Sequence, residues 1–173
     1  MNSKVFTTFF ILLSMLANTV TWAAGEAEYI LEKKVTSITP VFMTGHQGDF
    51  EWIEGLQING ENYLKGSATQ IGTFSATANV INPPLRLEEY YDHVYFTILN
   101  TFPELGTFQV TGIGISLGSS GNAGDTVFAY SGSISNGTGI FENNYGLSAG
   151  NAVSNIFAGG GAMTEVINIR TGY

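Results

Sequence analysis

Between Leu64 and Val80 the chain reads LKGSATQIGTFSATANV, and its positions divide by parity. The even set is Leu, Gly, Ala, Gln, Gly, Phe, Ala, Ala and Val; the odd set is Lys, Ser, Thr, Ile, Thr, Ser, Thr and Asn. A period of two places alternate side chains on opposite faces of a β-strand. The same alternation recurs in YILEKKV, where Tyr29, Leu31 and Val35 stand against Ile30, Glu32 and Lys34. In DFEWIEGL, Phe50, Trp52 and Glu54 stand against Asp49, Glu51 and Ile53. KGSATQ, GTFSATANV, GTFQVTGIGISL, DTVFAYSGSI, TGIFENNYG, NAVSNIF and AMTEVINI continue the series, and the denser run HVYFTILN predicts a strand buried on both faces. Helical spacing is confined to short candidates such as PPLRLEEYYDHV. Turn-forming clusters (NGEN, NPP, FPELG, GSSGNAGD, SNGTG, AGGGA) separate the segments. Eight to ten short strands with brief connections predict a single all-β domain of antiparallel neighbours.

The apolar face of the opening segment is unusually small. Gly66, Ala68, Gly72, Ala76 and Ala78 share it, with Phe74 as the one large residue. Small inward residues let a curved strand approach the opposite wall, and Gly112 and Gly114 repeat the device. The alternation stutters at Gln70-Ile71, which predicts a bend or bulge at Gly72. The expectation is therefore a single antiparallel β-barrel of about eight strands rather than a flat sandwich.

The N-terminus follows a different pattern. MNSK carries one positive charge, VFTTFFILLSMLANTV is apolar, and Thr21 and Ala23 stand where signal peptidase reads small residues. That order predicts a signal peptide over 1–23 and a barrel domain over 24–173, with a secreted or periplasmic destination. A retained anchor would need about 20 apolar residues, a length the segment just reaches. The 173-residue chain has a net charge of −8, and loss of Lys4 leaves 5 basic against 14 acidic residues, or −9. Such acidity argues against nucleic acid and against anionic membrane surfaces as partners. With no cysteine, the domain is built without disulfides, and thiolate metal sites are excluded.

Three segments carry a resemblance. GSATQIGTFSATANV is similar to a recurrent G-x-A-T-x-hydrophobic-G-x-F segment of small secreted bacterial proteins. NAGDTVFAYSGS resembles their A-x-G-D-x-hydrophobic strand. GTGIFENNYG resembles the G-T-G-x-F-x-x-A-x-G stretch shared with dirigent and allene-oxide-cyclase-like proteins. The span, Gly66 to Gly146, is about half of the processed chain. Ile140 stands where a polar or basic residue is usual, and Asn144 replaces a small one. The resemblance implies an eight-stranded, calycin-shaped barrel. For the cyclases it implies an apolar fatty-acid epoxide as substrate, for the dirigent proteins the orientation of phenoxy radicals; no pocket residue is carried over.

Candidate chemistry is sparse. LEEYYDHVYF gathers Glu88, Glu89, Asp92 and His93, and His46 lies three residues before Asp49. A metal needs three or four convergent ligands, and neither group supplies a second histidine. No G-x-S-x-G elbow and no phosphate-loop lysine is present, so no cofactor is called for. Asn136-Gly-Thr138 is a glycosylation sequon of meaning only in a eukaryotic secretory path. The aromatics are the stronger lead: in a barrel too wide to fill, Trp52, Tyr63, Phe74, Tyr95, Phe108, Phe128 and Tyr130 are the candidates to line a site for a small apolar ligand. The reading is a non-enzymatic binder or interaction module. An allene-oxide-cyclase-like isomerase would require a carboxylate turned inward, for which Glu51, Glu54 and Glu165 are placed by alternation. A small outer-membrane barrel would require an apolar outer band, and the Ser, Thr and Asn of the opening segment do not provide one.

Overall fold

A computed structural model describes residues 26–48, 53–80, 93–118, 125–155 and 159–171. Eight strands run in chain order: β1 (Glu26–Phe42), β2 (Ile53–Lys65), β3 (Gln70–Val80), β4 (His93–Phe102), β5 (Gly106–Gly118), β6 (Asp125–Ser135), β7 (Asn144–Asn155) and β8 (Gly160–Thr171). Each pairs antiparallel with its neighbours in sequence, and β1 closes on β8, giving a closed up-and-down barrel. A 3-10 turn at Gly139–Phe141 precedes β7.

The parity rule places the inner wall. Phe74 and Ala76 on β3, Val94, Phe96 and Ile98 on β4, and Phe108 and Val110 on β5 are buried, while Thr73, Ser75 and Thr77 face out. HVYFTILN is not buried on both faces: Tyr95 and Leu99 are exposed between the buried residues, so the run is a one-sided strand with apolar outer residues. KGSATQ is no strand of its own; its Gly66 and Ala68 are exposed in the β2–β3 connection. TGIFENNYG is a turn leading into β7.

Nor does β3 bulge at Gly72, which pairs with Asn62 in an unbroken register with β2; the register with β4 begins one residue on, at Thr73. Gly72 is small because a side chain there would lie 2.5 Å from Asn62 Oδ1 and 2.8 Å from the Phe102 ring. The slips fall in the β1–β2 pairing, where Thr36 is the extra residue on β1 and Glu54 the extra residue on β2, and in β5, between Ser116 and Gly118. On β1, Thr36 donates its hydroxyl to the Asn59 carbonyl at 3.2 Å. Past it, the core-facing positions of β1 change from odd (Leu31, Lys33, Val35) to even (Ile38), as a bulge requires.

One end of the barrel is plugged. The β4–β5 turn and the segment after β6 meet there: Thr138 N–H donates to the Thr107 carbonyl (2.8 Å) and Ile140 N–H to Leu105 (2.9 Å). Gly139 adopts φ +63, a left-handed conformation that suits glycine. The clamp delivers Phe141 between Phe102 and Phe108, with ring centroids 6.3 and 4.8 Å away, and all three are essentially inaccessible. The Gly-Thr-Gly-x-Phe stretch is thus a cap whose aromatic residue closes the tube.

Candidate ligand-binding cavity

Following inward residues from the plug toward the other end shows three layers. On β1 the order is Leu31, Lys33, Val35; on β8, read backwards, Ile167, Glu165, Met163; on β4, Phe102, Asn100, Ile98, Phe96. The polar members form a belt across the middle. Lys33 donates to Glu165 Oε2, Ser148 donates to Glu165 Oε1, and Asn62 Nδ2 donates to Asn100 Oδ1 at 3.1 Å. Lys33 and Glu165 are fully buried. Isolated charges could not stay ionised there; mutual pairing and the serine hydroxyl satisfy them. Burial pulls the Lys33 ammonium below its ordinary pKa, and the Glu165 charge offsets part of that pull.

Above the belt lies an open apolar cup. Leu56, Val94, Phe128 and Met163 form its walls, and Ala76, Ala78, Gly114 and Ala152 leave the space. Phe96 and Tyr130 meet at its base, edge to face, with ring centroids 5.2 Å apart at 77°. The cavity volume of the cup is about 70 Å³. That is room to bury one ring or a short hydrocarbon segment, with the rest of a larger molecule lying in the open mouth. It is less than the enclosed volume of a drug-sized site.

Tyr130 separates cup from belt. It is buried, and its hydroxyl has no hydrogen-bond partner of ordinary geometry. That oxygen nonetheless lies in the field of Glu165; burial first, and then the carboxylate charge, push its pKa far above the usual phenol value. The ring faces the cup while the hydroxyl is withdrawn from solvent.

The seven aromatic positions are distributed among several places. Phe128 and Tyr130 line the cup. Phe74 fills the barrel against Gly60, and Phe108 belongs to the plug. Tyr63 and Tyr95 lie on the outer face. Tyr63 donates its hydroxyl to Glu61 (2.6 Å), which raises its pKa, and sits beneath Lys65 Nζ. Trp52 lies outside the described residues, as do Glu51, Glu88, Glu89 and Asp92, the 1–23 segment and the PPLRLEEYYD stretch. Of the candidate carboxylates, Glu165 is inward and Glu54 is exposed. Among the described residues no cluster of three metal-ligating side chains occurs. Lys33, Asn62, Asn100 and Ser148 were not singled out from sequence; each is a polar residue on an inward parity position, the one signal that marks them.

The chain matches no family model, and neither a curated protein nor a solved structure is significantly similar to it. Fold and cavity therefore define it: a closed eight-stranded β-barrel, plugged at one end, belted by buried charge, and open to an apolar cup at the other.

Proposed function

We propose that the protein is an exported, non-enzymatic barrel that binds a small apolar molecule in the open half of its interior. The observation that carries this reading is the cup itself, whose lining is hydrocarbon apart from the Tyr130 hydroxyl turned away from it. The Glu165 carboxylate is spent on Lys33 and Ser148 and does not line the cup, which favours binding over chemistry. The order of charged, apolar and small residues at the N-terminus supports secretion or delivery to the periplasm. On the outer row of β3, Thr73, Ser75, Thr77 and Asn79 support a water-facing exterior; Ile71 on that row and Tyr95, Leu99, Ile113 and Leu117 on β4 and β5 are exposed and apolar.

The resemblance to secreted allene-oxide-cyclase and dirigent-like barrels belongs to the same proposal, carried by the Gly-Thr-Gly-x-Phe cap. One observation favours the isomerase alternative: Glu165 is an inward, fully buried carboxylate. The two part on substrate turnover. A fatty-acid epoxide incubated with the protein should be recovered with only its spontaneous products.

Binding is tested by titrating the processed protein with N-phenyl-1-naphthylamine, a neutral apolar fluorophore. Saturable enhancement is expected, reduced at least tenfold in affinity by Ala152→Phe and by Ala78→Phe. No saturable signal in the folded wild-type protein, or undiminished binding in both variants, would overturn the proposal.

A further inference from the structure

We infer that Tyr130 sets the depth of the cup, so that the ligand enters hydrocarbon end first, keeps its polar group at the mouth, and is selected by the length of its apolar part. This rests on the apolar-binder reading above. The base of the cup offers no accessible polar partner: the Tyr130 oxygen is sealed from solvent and lies on the side of Glu165. A ligand inserted head first would leave its own polar group desolvated against Phe96 and Met163.

Below Tyr130 the next inward positions are charged. Lys33 follows Val35 and Glu165 follows Met163, each one pleat deeper on a strand that lines the cup. A tail reaching past the ring would press hydrocarbon on a buried ion pair. Tyr130 prevents this by lying across Gly150, where a side chain would come within 2.7 Å of its Cζ and Oη. Ring position is thus built into two strands, and with it the length of chain that fits.

A series of 1-alkanols from butanol to dodecanol, measured by calorimetry or by displacement of N-phenyl-1-naphthylamine, tests this. In the wild-type protein each added methylene should raise affinity about fourfold, the equivalent of about 0.8 kcal/mol, until the chain meets Tyr130; longer chains should then gain little. Tyr130→Ala should move the break to longer alkanols, and Tyr130→Leu by a smaller step in the same direction. Tyr130→Phe should leave it in place. Exchanging the hydroxyl for a methyl ether should change affinity less than threefold.

A break that stays put in both deepening variants, or a tenfold loss in Tyr130→Phe, overturns the depth assignment while leaving apolar binding intact. A tenfold dependence on the head group overturns the entry direction. Failure of every alkanol and of the fluorophore to bind the folded wild-type protein overturns the binder reading and this inference with it.

Discussion

Tyr130 lies directly across Gly150: the two are register partners on β6 and β7, and a β-carbon on the glycine would fall 2.7 Å from the tyrosine ring. Phe74 and Gly60 repeat the arrangement on β3 and β2, with 2.6 Å to Phe74 Cε1. In both pairs a strand without a side chain receives an aromatic ring from its neighbour. The rings supply bulk that the small inward residues withhold.

Replacing Gly150 by alanine should therefore destabilise the fold by about 1–3 kcal/mol through overpacking. Tyr130→Ala in the same chain should relieve only part of it, because the added methyl also meets the Thr164 carbonyl at 2.5 Å. Urea denaturation of the single and double variants measures both effects.

Breaking the buried belt should cost more. Lys33→Met leaves Glu165 uncompensated and should lower stability by about 3–5 kcal/mol, whereas Lys33→Met with Glu165→Leu should recover most of it. Ser148→Ala should cost about 1–3 kcal/mol, since it strips one hydrogen bond from a buried carboxylate. A double-mutant cycle in urea isolates the pair.

Two buried groups shape the alkaline response with opposite signs. The Tyr130 phenol has a raised folded pKa, so its contribution is present below pH 10 and lost as pH climbs above 10, where the unfolded tyrosine ionises. The Lys33 folded pKa is lowered, so its term grows as pH rises toward 10.5. Tyr130→Phe should consequently lose less stability than the wild type between pH 10 and 11.5 in thermal melts.

Outer and inner residues of β4 should respond differently to truncation. Tyr95→Ser and Leu99→Ser should stay within about 0.5 kcal/mol of the parent, while Phe96→Ala should cost about 3–5 kcal/mol and Ile98→Ala about 2–5 kcal/mol. Phe141→Ala should also cost about 3–5 kcal/mol by opening the plug, yet leave fluorophore affinity within threefold in the folded fraction, because the cup lies at the other end.

The barrel was legible in the sequence because period-two alternation with glycine and alanine on one face has few other uses. Particular elements escaped for physical reasons. Tyr95, Leu99, Ile113 and Leu117 are apolar yet exposed, so the runs containing them imitate doubly buried strands. The inward frame of β1 changes at Thr36, an extra residue with no sequence mark of its own. Lys33 was not singled out, because only its parity with Leu31 and Val35 separates it from Lys34. The turn chemistry of Gly137 to Gly139 could be read, but that the turn carries Phe141 into the barrel end depends on hydrogen bonds to a hairpin earlier in the chain. The cup follows from Ala76, Ala78, Gly114 and Ala152 on three strands, and only closure brings them to face one another.

The partner of Lys33 is a carboxylate 132 residues further along the chain. Seven strands can zip in the order of synthesis, each against its predecessor, but the seam between first and last waits for the C-terminal segment. Until then an ammonium group and two unpaired sheet borders are left to water. Late closure of this kind makes folding slow. It also makes it all-or-none: a polypeptide cut short before residue 160 keeps seven-eighths of its strands and forfeits the tube.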